Sequence, residues 1–149
     1  QNTIFTLEGI SQYISKHSFH STLKEISQIT KMSKTTIFFS YTDCIINKYP
    51  EDLFGKDYPK PRKKILRIKK IVNALSEPWI SFYSKKEIEE LLFKNNFKLK
   101  EIKKLENLNE KYFASINKEV DNSNIFNLEN FVVAQNFTSL NTSKLENSE

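Results

Sequence analysis

Apolar and polar positions alternate along this chain in two distinct rhythms. Ile4-Phe5-Thr6-Leu7 is a short apolar run that stops at Glu8-Gly9, so residues 3–8 are expected to form a buried strand. Residues 18–31 carry Phe19, Leu23, Ile26 and Ile29 at helical spacing, with Ser18 as the candidate cap. Residues 35–42, Thr-Thr-Ile-Phe-Phe-Ser-Tyr-Thr, are dense in β-branched and aromatic side chains and read as a central strand. A loop holding Pro50, Gly55, Pro59 and Pro61 follows. Ile65, Ile68, Val72 and Leu75 then mark a helix from about residue 63 to 75.

Ser84 and Glu87 have the spacing of a capping box, in which side chain and backbone at a helix start satisfy each other. Ile88, Leu91, Leu92 and Phe93 are the apolar positions of that helix, and Asn95-Asn96 is its expected stop. Residues 97–105 alternate apolar and charged, as a strand with one wet face does. A short helix or turn is expected around Tyr112-Phe113, and a last buried strand at 131–136. Residues 138–149, rich in Ser, Thr, Asn and Glu, are expected to form a flexible tail. Early strand–helix alternation implies an α/β protein with parallel strands, and the last two strands need no crossover between them.

Composition narrows the function. The 149 residues suffice for one domain with a real core. No apolar run approaches the roughly 20 residues that span a bilayer. The sequence as given opens with no secretory leader pattern, so a cytoplasmic location without membrane contact is expected. The single Cys44 allows no internal disulfide and no multi-cysteine metal site. His17 and His20 lack an evident third ligand, so a surface pair is the reading and no metal is expected. The net charge of +5 sits largely in residues 60–70. That stretch reads as an amphipathic helix with a basic solvent face, the alternative being a patch for phosphate or an acidic partner. Aromatic residues do not interleave with its cations, so nucleic acid is not the expected partner.

Five stretches together point further. Residues 5–14 (FTLEGISQYI), 35–42 (TTIFFSYT), 76–99 (SEPWISFYSKKEIEELLFKNNFKL), 111–113 (KYF) and 129–135 (ENFVVAQ) resemble the C-terminal half of S-adenosylmethionine-dependent methyltransferases of the leucine carboxyl methyltransferase-like group. The family carries an "EG…YL" stretch after its fourth strand, "GEPW…F" before a helix ending in "GF", and an "RYF"-like element before its last strand. Here the glycine before Glu77 is Ser76, "YL" is Tyr13-Ile14, and the arginine is Lys111. The resemblance covers residues 4 to about 136. It implies a Rossmann-like sheet of order 3-2-1-4-5-7-6 with strand 7 antiparallel. Residues 3–8, 35–42, 97–105 and 131–136 would be strands 4, 5, 6 and 7, flanked by helices.

The resemblance also implies chemistry and an absence. Residues 1–137 would be a partial methyltransferase domain. The family holds its cofactor on a glycine-rich loop after strand 1, where the backbone must approach the ligand closely. Gly9 and Gly55 are the only glycines in this sequence, and no G-x-G occurs. The expected function is therefore the substrate-side portion of an O-methyltransferase acting on a carboxyl or hydroxyl acceptor, with S-adenosyl-L-methionine bound only when the N-terminal half is supplied. The alternative is a non-catalytic remnant serving as a binding or structural module. Glu8 and Gly9 are the implied cofactor contacts. Tyr13, Tyr41 and Trp79 are the implied substrate contacts, and no catalytic residue is assigned. Without strands 1 to 3, strand 4 becomes an open edge, which implies pairing with a second chain carrying the missing half, or self-association.

Overall fold

A computed structural model describes residues 2–54, 58–104, 112, 116 and 128–137. Among the described residues four strands form one sheet: β1 (Asn2–Leu7), β2 (Lys34–Thr42), β3 (Phe97–Lys104) and β4 (Glu129–Asn136). Their order is β1-β2-β4-β3. β1 runs parallel to β2, with Phe5 opposite Ile37 and Leu7 opposite Phe39. β4 is antiparallel to both β2 and β3. This is the 4-5-7-6 arrangement that the resemblance implied, with the last strand reversed.

Two long helices cover one face. α1 (Lys16–Ile29) follows β1, and α2 (Lys85–Lys94) precedes β3. Phe19, Leu23 and Ile26 of α1 meet Ile37, Phe39 and Tyr41 of β2, Val132 and Ala134 of β4, and Ile88 and Leu92 of α2 in a single buried cluster. β3 joins this core through Phe97, Leu99 and Ile102. A register shift between Leu99 and Glu101 makes that possible, because a bulge resets the two-residue alternation and keeps Glu101 off the core face. Phe38 and Phe131 stack on the opposite face, 6.1 Å between centroids, and remain half-buried.

Several expectations change. β1 is not buried: its residues alternate between exposed and half-buried, and Ile4 is 73% exposed. Among the described residues the strand pairs only with β2, and Ile4 and Thr6 point to the sheet face that α1 and α2 leave uncovered, so they meet solvent. Ser15, not Ser18, caps α1, and its hydroxyl accepts from the Ser18 N–H at 3.0 Å. Ile29 is exposed while Thr30 is buried, because the core-facing stripe runs through Phe19, Leu23, Ile26 and Thr30. Phe93 likewise points out, meeting the Phe137 ring edge-on instead of the core.

The proline-rich connection holds two four-residue helices, Ile45–Lys48 and Glu51–Phe54, where a loop was expected. The basic helix, α3, spans Pro61–Ala74 and starts with proline at its first position, where the missing N–H does no harm. Ile65 packs with Ile46 and Leu128 in a second cluster flanked by Ile68, Trp79 and Phe82, but Leu75 is exposed. α3 carries six cations (Arg62, Lys63, Lys64, Arg67, Lys69 and Lys70) and no acid.

The capping box forms as expected. The Ser84 hydroxyl accepts from the Glu87 N–H at 3.2 Å, and the Glu87 carboxylate accepts from the Ser84 N–H at 2.7 Å. Asn96 ends α2 in the left-handed region at φ 60°, and Ser76 takes φ 61°. These are the two positions where the resembling family has glycine, the residue that conformation favours. The turn expected at Tyr112-Phe113, Lys111, and the tail from residue 138 lie outside the described residues, apart from Tyr112 itself.

Candidate functional site

The carboxyl ends of β1 and β2 meet the start of the reversed strand β4, since Thr42 pairs with Glu129. Side chains directly opposite in a ladder share a face. Ser40, Thr42, Glu129 and Phe131 therefore lie on the sheet face away from α1. Alternation from Thr6 puts Glu8 on that face too.

Local geometry explains why the chain turns here. Gly9 has φ 65° and donates its N–H to Ser40 Oγ at 3.0 Å. A Cβ at Gly9 would meet nothing within 4 Å, so backbone conformation, not close approach of a neighbour, is what calls for glycine. The Ser11 hydroxyl donates to the Ser40 carbonyl at 2.7 Å, and the Tyr13 N–H donates to the Ile10 carbonyl at 3.0 Å, closing the turn.

The buried Gln12 occupies the centre of the site. Its Nε2 donates to Glu129 Oε1 at 3.3 Å, and its backbone carbonyl accepts from the Ile80 and Ser81 N–H groups at 2.8 and 3.2 Å. Ser81 also donates its hydroxyl to the Ile14 carbonyl at 2.6 Å. The Tyr83 N–H donates to the Thr42 carbonyl at 3.1 Å. The segment from Trp79 to Tyr83 is thus stitched to the loop after β1 and to the end of β2. Two of the stretches that carried the resemblance, at residues 8–14 and 77–82, come together here.

The electrostatics centre on Glu129. Burial pushes its carboxyl above the usual carboxylate range, hydrogen bonding from Ser40 and Gln12 pulls it back, and the Glu8 carboxylate raises it further. Thr42 is fully buried, and its Oγ1 has no hydrogen-bond partner among the described residues.

The expected contacts are distributed unevenly about this site. Glu8 is exposed at the strand end and Gly9 half-buried beside it. Tyr13 is half-buried on the same loop. Tyr41 is 1% exposed and packs edge-on against Tyr83 at 6.4 Å, inside the core on the opposite face. Burial, with Asp43 nearby, pushes its hydroxyl far above its ordinary pKa. Trp79 is half-buried against the Ile46, Ile65 and Leu128 cluster, with its Nε1 unpartnered among the described residues. Cys44 lies near the end of β2, and burial pushes its thiol up, away from the reactive thiolate. His17 and His20 lie in the groove between α1 and α2, and no group of three metal-ligating side chains occurs among the described residues. No described helix is long and apolar enough to cross a membrane.

Gln12, Ser40 and Glu129 were not among the expected site residues. Glu129 was legible in principle: a last strand that runs backwards begins where its parallel neighbours end, and Glu129 opens the stretch 129–135.

No protein-family model matches the sequence, and no curated protein does. Solved structures do match. A DUF574 family protein from Streptomyces avermitilis superposes with a TM-score of 0.57 at 11% identity, over 92% of this chain and 45% of that one. The mycolic acid cyclopropane synthase CmaA1, solved with SAH and CTAB, superposes with a TM-score of 0.52 at 9% identity, over 90% of this chain and 55% of that one. The chain has a methyltransferase fold. It spans about half the length of these two structures.

Proposed function

We propose that this chain is the C-terminal, substrate-side portion of an S-adenosylmethionine-dependent O-methyltransferase with a hydroxyl or carboxyl acceptor. The observation that carries this reading is the order β1-β2-β4-β3 with β4 reversed, ending in a polar site at the carboxyl end of the edge strand. Open parallel sheets bind ligands at such ends, near the switch in strand order.

The residues present fit one end of the cofactor. Glu8 is an exposed acid suited to its cationic amino group, and Gly9 shapes the turn that presents it. When bound, S-adenosylmethionine supplies an electrophilic methyl group. The chain's own residues orient the acceptor: Gln12 fixes the Glu129 carboxyl, Tyr13 flanks the loop, and the Trp79 segment, tied to Gln12, screens the site from water. The glycine-rich loop for the rest of the cofactor would come from an N-terminal half.

The same reading gives the open edge a purpose. Among the described residues β1 pairs on one side only, and the sheet face away from α1 carries Ile4, Phe38 and Phe131. That edge would receive the missing strands, on this polypeptide or another, or a second copy of the chain.

Isothermal titration tests the proposal. The chain alone should not bind S-adenosylmethionine measurably, and the chain supplied with an N-terminal methyl-donor half should. Absence of binding in both cases would favour a non-catalytic binding or structural module instead.

A further inference from the structure

The described charged groups of the site are carboxylates, which disfavours a carboxylate acceptor. Glu8 and Glu129 lie at the ends of the two strands that flank β2, and the Glu8 carboxylate acts on Glu129 across it. Among the described residues, the charged side chain that acts on Glu129 is Glu8, a second carboxylate. Two carboxylates at one site repel a third anion, at a cost that grows as water is excluded. The remaining described groups are neutral hydrogen-bonding ones: Gln12, Ser40 and the buried Thr42 hydroxyl directly opposite Glu129, which has no partner among the described residues. A buried hydroxyl left unpaired is expensive unless a ligand or partner completes it.

We infer that the acceptor is a neutral hydroxyl compound, and that Glu129 is the base that takes its proton while the Thr42 hydroxyl and Gln12 hold the two in register. This rests on the methyltransferase reading for the reaction, though the hydroxyl-binding site itself does not. An alcohol or phenol oxygen is a weak nucleophile while it keeps its proton, so it needs a positioned base where a carboxylate acceptor would not. The acceptor oxygen gains the methyl carbon as the carbon–sulfur bond breaks. That bond's electron pair stays on sulfur, and the hydroxyl proton passes to the Glu129 carboxylate. Burial strengthens Glu129 for this role by making its carboxylate more basic than an exposed one. Glu8, on the β1 side, is left to face the cationic end of the donor.

The test uses the chain as it is, with phenol and benzoate as probes of nearly equal shape and opposite charge behaviour. Backbone amide NMR at pH 8 should show phenol perturbing Gln12, Ser40, Thr42 and Glu129, with benzoate at least tenfold weaker. Glu129→Gln, nearly isosteric, should weaken phenol at least fivefold while leaving the remaining spectrum folded. Thr42→Val should weaken it too, which distinguishes a hydroxyl site from the charge of Glu129 alone. Benzoate binding as tightly as phenol, or phenol indifferent to Glu129→Gln, overturns the inference. Failure of S-adenosylmethionine to bind even with a donor half would overturn the methyltransferase reading and leave the phenol result standing.

Discussion

Ser76 holds a backbone conformation at φ 61° that L-residues resist, and Gly9 holds a similar one at φ 65° without resistance. Swapping the residue type at each position isolates the backbone. A side chain in the left-handed region costs about 1–2 kcal/mol. Ser76→Gly removes that cost but adds freedom to the unfolded chain, worth about 0.4–1 kcal/mol. Ser76 is exposed, so no packing is lost, and its N–H keeps the Asn73 carbonyl at 3.1 Å. The net expectation is a stabilisation of about 0.5–1 kcal/mol. Gly9→Ala should do the reverse, by about 1 kcal/mol, because the added methyl meets nothing within 4 Å and only the backbone term remains. Urea unfolding at pH 7, followed by circular dichroism with the slope m held common, reads both. Each shift corresponds to about 2–4 °C in Tm per kcal/mol for a chain of this size. A Ser76→Gly variant less stable than the parent refutes the reasoning, as does a Gly9→Ala variant with no loss.

Four other expectations follow from packing, charge and the edge strand. Leu92→Ala, at a fully buried position, should cost about 2–5 kcal/mol in urea unfolding, whereas Phe93→Ala, next door and 72% exposed, should cost within about 1 kcal/mol. Glu87 is held below the usual carboxylate range by Lys16 and by the Ser84 N–H, so its contribution is present above that range and is lost as pH falls through the lowered value. Glu87→Gln should flatten this acid limb of the stability curve. Glu129 has the opposite sign: its raised value makes the native state bind the extra proton, so stability falls as pH rises from the usual carboxylate value through the raised one. Glu129→Gln should therefore gain on the parent at neutral pH, read by the same unfolding assay across pH. Light scattering should show the parent chain associating with concentration and Ile4→Lys remaining monomeric, since a charge on the exposed side of β1 blocks edge pairing.

Elements with a single strong local signal were legible in the sequence. β2 announces itself by seven β-branched or aromatic residues from Thr35 to Thr42, and α2 by its Ser84–Glu87 box. What the sequence did not show was which side of an element meets a neighbour. Ile29 and Phe93 are apolar at positions compatible with a helical stripe, yet the packing of α1 and α2 on the sheet turns both outward. Ser15 and Ser18 both qualify as caps, and only the path of the chain out of the 11–14 turn selects Ser15. Tyr41 is a sharper case: Ile37 and Phe39 face the core, so two-residue alternation already commits Tyr41 to the core and Thr42 to the site. Glu129 was hidden for another reason. It reaches Gln12 across 117 positions of sequence, and no local pattern reports a contact of that range.

α3 carries six positive charges against a net charge of +5 for the whole chain, so everything outside that one helix sums to one negative charge. That helix gathers a charge as large as the net charge of the whole chain onto one rod. A cation-exchange column is expected to grip the protein by that rod. Its salt elution should report on the rod alone, so neutralising three of those lysines would change chromatographic behaviour far more than the same change spread over the surface.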